Sequence, residues 1–169
     1  MNDAPPERLG EEQGSVDVSV LSQLLSFHLR MLLLEVNRAY DRAFADTAVA
    51  GGTGKLTTVI LVAANPGISQ GRVGAVMSKD RPAMVRIVDH LEREGLLRRT
   101  RPHGERRRYG LWLTPRGRTK VAEYMRMAVE YDDGFFGVLS ARERADLARI
   151  LRKLRKTHQS QTLGVSVDE

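Results

Sequence analysis

Residues 98–108 carry the side chains best suited to chemistry with an anion. The segment holds six arginines against a single acid, Glu105; they are Arg98, Arg99, Arg101, Arg106, Arg107 and Arg108. Guanidinium groups bind phosphate through paired hydrogen bonds and enter narrow minor grooves of DNA. A loop that only keeps a protein in solution usually mixes charges of both signs. The cluster, with a formal net charge of +6 for the chain, therefore favours a phosphate-bearing partner.

The elements on either side of the cluster predict how it is positioned. Apolar, strand-like runs at residues 96–100 and 109–114 predict a β-hairpin with the arginines at its tip. A helix is predicted before the hairpin, with Asp80 as its N-cap, Pro82 in its first turn and Gly95 just past its end. Its apolar face is formed by Met84, Ile87, Val88 and Leu91.

A shorter helix is predicted to precede this one. Ser69 is a suitable N-cap, and Val73, Val76 and Met77 would face inward. Residues 78–80 then form a polar turn between the two helices. This spacing is typical of a helix-turn-helix, whose second helix enters a major groove, although an ordinary corner between two helices has the same pattern.

The segment resembles the winged helix-turn-helix of the MarR family of bacterial transcription regulators. The similarity rests on residues 65–67, 80–86, 91–96 and 113–117, and extends over about residues 18–158. It implies a mainly α fold with a small β-hairpin wing, a winged helix-turn-helix at 55–117 and dimerisation helices at 18–46 and 118–158. Glu105 and Arg107 stand where the family wing usually has an Asp that orients an Arg, so a longer carboxylate replaces the usual one.

The resemblance implies a homodimer that binds double-stranded DNA in a sequence-specific way. Most members are repressors, released from a palindromic operator by an aromatic carboxylate, a phenolic compound or an acyl-CoA thioester. The expected DNA contacts are Ser69, Gln70, Arg72, Lys79, Arg81, Met84, Val85, Arg86, Arg98, Arg106, Arg107 and Arg108. The alternative is a winged-helix protein–protein adaptor, which would have no need of six arginines in the wing.

The flanking helices carry an excess of apolar residues that favours a second chain. A helix is predicted at about residues 18–45, and His28 on its apolar face is either a core or dimer contact or part of an effector pocket with Arg38 and Tyr40. Another is predicted from 115 to about 129, broken at 131–134. A capping box at Ser140 and Glu143 opens the last helix, which is predicted to end near 158.

The remaining patterns exclude several classes of protein. There is no cysteine, so disulfides and thiol chemistry are excluded. Residues 48–55 read AVAGGTGK but lack the first glycine and final Ser or Thr of a nucleotide-binding loop, and so predict a flexible loop. No catalytic or metal-ligand constellation is visible, which indicates a non-enzyme without cofactors. Residues 1–17 and 159–169 are expected to be tails. Without a signal peptide or a long apolar run, we expect a cytoplasmic protein.

Overall fold

The computed structural model describes residues 17–100 and 109–163, with side chains as far as residue 158. These residues form a short 3-10 helix at Leu21–Gln23 followed by six α-helices and three strands, which confirms the predicted mainly α fold with a small β-hairpin. The elements, in chain order, are α1 Leu25–Ala43, α2 Gly54–Ala64, β1 Ile68–Ser69, α3 Gln70–Val76, α4 Arg81–Arg93, β2 Leu97–Thr100, β3 Gly110–Leu113, α5 Pro115–Phe136 and α6 Ala141–Leu163. None of the described helices is long and apolar enough to cross a membrane.

The chain divides into two compact units within α1, between Glu35 and Val36. In the first unit, the predicted long helix is interrupted, because Leu24 is extended between the 3-10 helix and α1. The apolar side chains of this unit are largely exposed, reaching 79% for Leu25 and 58% for Leu33. Apolar surface of this extent on a helix is typical of a face that another chain covers.

The second unit is built around a core of α2, α4 and the sheet. Val59 of α2, with Val88 and Leu91 of α4, is fully buried, as is Leu111 of β3 at 1% exposure. Tyr40 and Phe44 complete the core from the end of α1, with their rings stacked at 4.4 Å between centroids. The apolar period predicted for α4 therefore corresponds to its buried face.

The sheet has one more strand than the hairpin predicted from the sequence. Strand order is β1-β3-β2, and both pairs are antiparallel, with Arg98 opposite Trp112 and Ile68 opposite Leu111. Gly110 permits the close approach of the added strand, because a Cβ there would lie 2.8 Å from the carbonyl oxygen of Gly67. β1 thereby joins the start of α3 to the root of the wing.

Thr114 joins the sheet to α5. Its backbone N–H donates to the carbonyl of Leu96 at 3.0 Å, and its hydroxyl donates to the carbonyl of Gly95 at 2.5 Å. The same hydroxyl accepts from the N–H of Gly117 at 2.9 Å, so it also caps α5. One residue therefore connects the end of α4, the start of β2 and the first turn of α5.

The last two helices differ from the prediction in length. α5 runs through residues 131–134, where a break was predicted, and ends at Phe136. It continues because Tyr131 donates to the carbonyl of Val36 at 2.8 Å and Asp133 pairs with Arg144 at 2.6 Å. The capping box at Ser140 and Glu143 forms as predicted, and α6 extends to 163.

Candidate nucleic-acid interface

The position of α4 is set by its first turn and its buried face. The Asp80 carboxylate accepts from the N–H of Ala83 at 2.7 Å, and Pro82 occupies a position where an N–H is not needed. Burial of one face leaves Arg81, Val85 and Arg86 exposed on the others. The exposed face therefore presents two guanidinium groups and one small apolar side chain, which suit contacts to phosphates, base edges and thymine methyl groups.

α3 is held against α4 through a glycine. A Cβ at Gly74 would lie 3.0 Å from Cγ of Met84 and 3.2 Å from the carbonyl oxygen of Lys79, so a larger residue would push the helices apart. Ser69 caps α3 by accepting from the N–H of Arg72 at 3.3 Å. The predicted N-caps of both helices are present, and the turn between them places Ser78 at a φ of 50°.

The two helices border a concavity of about 920 Å³, here called the recognition concavity. It brings together seven of the predicted DNA contacts from two helices and the turn: Ser69, Gln70, Arg72, Lys79, Arg81, Met84 and Val85. Arg99 of β2 and Tyr109 at the root of the wing complete its wall. Seven of the twelve predicted contacts therefore border one concavity, whereas Arg86 and Arg98 are not among its lining residues.

Met84 differs from its predicted role. It is only 1% exposed, and its side chain packs in the core between α3 and α4. The prediction that Met84 faces base edges is therefore wrong in this structure, because the 3.6-residue period that buries Val88 and Leu91 buries Met84 as well. Its neighbour Val85 is 37% exposed and remains available.

Arg99 ties the wing to the helix-turn-helix, a role that the sequence analysis missed. Its guanidinium pairs with Asp89 of α4 at 2.7 Å and with Glu92, and donates to Oε1 of Gln70 at 3.1 Å. Its backbone N–H donates to the Glu92 carboxylate at 2.7 Å. Alternation along β2 turns the neighbouring Arg98 away, and Arg98 is exposed. Arg99 therefore has a structural role, whereas the adjacent Arg98 is exposed to solvent.

The other predicted wing contacts, Arg106, Arg107 and Arg108, lie outside the described residues, as does Glu105. Among the described residues, no group of three or more His, Cys, Asp or Glu side chains could hold a metal ion.

The three residues predicted to bind an effector have different environments. Tyr40 is 1% exposed and donates from its hydroxyl to the carbonyl of Val49 at 3.0 Å, so it is a core residue here and nothing in its surroundings supports an effector contact. Burial raises the pKa of Tyr40, and burial likewise raises the pKa of Tyr124 and of Tyr131. Arg38 is exposed. His28, in the first unit, is exposed, and its Nε2 donates to the carbonyl of Ser22 at 2.6 Å.

Residues 48–52 form a loop, as predicted, and several hydrogen bonds connect it to α1, α2 and α4. Nε2 of His90 on α4 donates to the carbonyl of Ala48 at 2.8 Å, and Tyr40 holds the next carbonyl. Lys55 donates to the carbonyl of Ala50 at 2.5 Å, while the N–H of Gly52 donates to Asp41 at 3.3 Å. The sequence missed these bonds because their partners are distant in the chain.

Comparisons with known proteins agree with this architecture. The model of the MarR family matches residues 55–108. A candidate transcriptional regulatory protein for the hcr operon of Thauera aromatica is 34% identical over 131 residues, which cover 77% of this chain and 78% of that protein.

Solved structures give the same result. The transcriptional repressor CouR bound to a 23-mer DNA duplex aligns with a TM-score of 0.77 at 28% identity, covering 84% of this chain and 99% of the other. CouR bound to p-coumaroyl-CoA aligns with a TM-score of 0.74 at 27% identity, covering 83% and 98%. With this fold, this helix-turn-helix and a relative matched over most of its length, the chain belongs to the MarR family of transcriptional regulators.

Proposed function

We propose that the protein is a homodimeric repressor that binds an inverted-repeat operator and is released from it by a small molecule. The observation that carries the proposal is the recognition concavity, where the start of α3 and the exposed side of α4 present cationic and polar side chains to one surface. CouR, a repressor of the same fold that binds a 23-mer DNA duplex, supports DNA as the partner.

The side chains divide into two roles within this proposal. Ser69, Gln70 and Arg72 bind backbone phosphates and set the register of the protein on the duplex. Gln70 suits this role because its Oε1 is occupied by Arg99, which leaves its amide N–H groups to donate. Arg81, Val85 and Arg86 read base edges or the adjacent backbone from α4, with Lys79 beside them.

The wing supplies the remaining DNA contacts in the proposal. Arg98 lies exposed on β2, and the sequence places Arg106, Arg107 and Arg108 towards the tip of the hairpin. A hairpin dense in guanidinium groups fits a minor groove next to the major groove that α4 enters.

A second copy of the chain is proposed to cover the exposed apolar side chains of α1 and α6. Ile150, Leu151 and Leu154 of α6 are each 44% exposed, at the spacing of a coiled-coil seam. Twofold symmetry then predicts an operator with half-sites centred about 10 bp apart, or one helical turn.

The proposed effector is an aromatic carboxylate, a phenolic compound or an acyl-CoA thioester. The support is the ligand of one relative, p-coumaroyl-CoA bound to CouR. His28 and Arg38 are the exposed residues from the sequence analysis that stay candidates for contacting it.

The test is selection of bound fragments from genomic DNA, followed by affinity measurements on the selected site and on a scrambled duplex. Arg86→Ala should lose about 1–3 kcal/mol on the selected site and less on the scrambled one, since a base contact is sequence-specific. Arg126→Ala, an exposed arginine of α5, is the matched control and should bind like wild type. Equal affinity of the wild-type protein for both duplexes would refute specific binding and leave the protein–protein adaptor as the better explanation.

A further inference from the structure

A second cavity, of about 620 Å³, lies on the other side of α4 from the recognition concavity. This cavity is lined by residues 83, 86 and 87 of α4, whereas the recognition concavity is lined by residues 81, 84 and 85. Because successive residues of a helix are rotated by about 100°, the two sets lie on different faces of α4. The opposite wall is residues 51–54, the glycine-rich loop noticed in the sequence. Asn37 and Asp41 of α1, with Lys55 and Lys79, complete the lining.

We call this second cavity the glycine-loop cavity, and the charges around it favour an anion. Its lining includes Lys55, Lys79 and Arg86, and among the described residues Asp41 is the one carboxylate beside them. Asp41 already accepts from the N–H of Gly52 at 3.3 Å. Within the described part of the chain, the side chains of Lys79 and Arg86 make no hydrogen bond or ion pair, so both cationic groups have unused donors.

The loop is shaped to leave room for a ligand. Gly51 and Gly52 have φ values of 77° and 97°, which side chains other than glycine rarely adopt, and a Cβ at Gly52 would meet nothing within 4 Å. A Cβ at Gly54 would lie 3.1 Å from Cε of Lys79, so this glycine lets the lysine lie across the start of α2. The bonds from Tyr40 and His90 hold the carbonyls of the preceding residues and so position the loop beside the cavity.

The start of α2 adds to the effect of the three cationic side chains. Thr53 is the N-cap residue of α2, but its side chain accepts no hydrogen bond from the first turn. The Thr53 side chain therefore leaves the backbone N–H groups of that turn without a capping partner. The partial positive charge of a helix N-terminus favours the same kind of ligand as the lysines and the arginine.

We propose that the glycine-loop cavity is a binding site for a phosphate group, held by Lys55, Lys79 and Arg86. The phosphate has two sources with the same chemistry: the backbone of the operator duplex, or a phosphate ester in a soluble effector. The inference rests on the proposed function, because Lys79 and Arg86 are also proposed DNA contacts. A soluble phosphate ester in this cavity would therefore compete with DNA for the same two side chains.

The first arm of the experiment tests the DNA source with Lys55→Gln in the full chain. If the backbone occupies the cavity, the slope of log affinity against log salt should fall by about 1 for each lost phosphate contact, hence by about 2 in a dimer. Lys153→Gln on α6, which removes the same charge away from the cavity, should leave the slope unchanged.

The second arm tests the soluble source by titrating wild type and Lys55→Gln with coenzyme A, which carries a phosphate monoester and a pyrophosphate. If a soluble ester occupies the cavity, wild type should bind one coenzyme A per subunit in calorimetry, and the variant should bind about tenfold more weakly. Bound coenzyme A should also weaken binding of the duplex.

Thr53→Asp separates phosphate binding from folding. Aspartate is a favourable N-cap and interacts well with the helix dipole, so the melting temperature should be kept or raised. The new carboxylate in the cavity should still weaken phosphate binding in whichever arm responds. The inference is overturned if Lys55→Gln and Thr53→Asp match wild type in both arms. If wild type bound no operator at all, the proposed repressor function would fail, while the coenzyme A titration would still decide on the cavity.

Discussion

The adjacent arginines of β2 allow a sharp test of the difference between a structural and a DNA-binding guanidinium. Arg99→Gln removes the pairs with Asp89 and Glu92 and the bond to Gln70. Arg98→Gln removes the same charge one residue earlier, on the exposed face of the strand. Both variants keep a polar side chain, so they differ mainly in which contacts are lost.

The expected loss of stability follows from burial. The Arg99 side chain is 25% exposed and that of Glu92 is 29%, whereas Asp89 is 50% exposed. Solvent screens the pair with Asp89, so it contributes about 0–1 kcal/mol, and the less exposed pair with Glu92 contributes more. The backbone N–H of Arg99 still bonds Glu92 in the variant, which limits the loss. We expect Arg99→Gln to cost about 1–2 kcal/mol, or about 2–8 °C in melting temperature.

The assay is urea unfolding of both variants, followed by duplex binding under conditions where each is folded. Arg98→Gln should change the free energy of unfolding by less than about 0.5 kcal/mol and should reduce the salt dependence of binding. Arg99→Gln should be destabilised and should also bind weakly, because the wing loses its tie to α4. If Arg99→Gln were as stable as wild type, the network would be an exposed arrangement of no energetic importance, and the reasoning would be refuted.

Three further predictions concern assembly, pH and the core. Glutamate at both Leu151 and Leu154 should convert a dimer into a monomer in analytical ultracentrifugation and abolish operator binding with it; a dimeric variant would contradict the proposed interface. Because burial raises the folded-state pKa of Tyr40 above its unfolded value, its contribution to stability is present below about pH 10 and lost as the pH rises further, at up to about 1.4 kcal/mol per pH unit. Tyr40→Phe should flatten that alkaline decline in urea melts, and an unchanged slope would argue against it. Met84→Ala should lower the free energy of unfolding by about 2–5 kcal/mol, because Met84 is buried. Val85→Ala should change the free energy of unfolding by less than about 0.5 kcal/mol and should alter base preference in a site-selection assay.

Elements specified by neighbouring residues were predictable from the sequence. The caps at Ser69 and Asp80 and the end of α4 at Gly95 depend on contacts within a few residues. The hairpin strands pair over a longer separation, from Thr100 with Gly110 to Leu97 with Leu113, but they are consecutive in the chain and have apolar, strand-like sequences. β1 was not predictable, because two residues show no alternation and the strand exists only where the edge of β3 accepts it. The continuation of α5 past residue 131 depends on Val36 and Arg144, and nothing local indicates either contact.

The candidate site was predictable as a group of residues and less so in the role of each. The sequence predicts Met84 both on the apolar face of α4 and among the base contacts, and the helical period decides for the core. Arg98 and Arg99 look alike in the sequence, yet strand alternation separates them. Asp89 and Glu92, three residues apart on one helix, were the available sign that an arginine nearby would be held in place.

Thr114 is the point about which α5 would rotate, because its hydrogen bonds join the first turn of α5 to the end of α4 and the start of β2. α5 has 22 residues and therefore spans about 33 Å, and its first turn is fastened to the end of α4 and the root of β2 through one hydroxyl and one N–H. A tilt of α5 by about 5° about that point would displace its far end by about 3 Å. Conversely, the far end of α5 is joined to α6 through Arg144. Moving that end by a few ångströms would rotate α4 and the wing slightly. In the proposed dimer, two α4 helices would lie in successive turns of one duplex and would tolerate little rotation. A small displacement of the distant helices would then be sufficient to move both from their grooves.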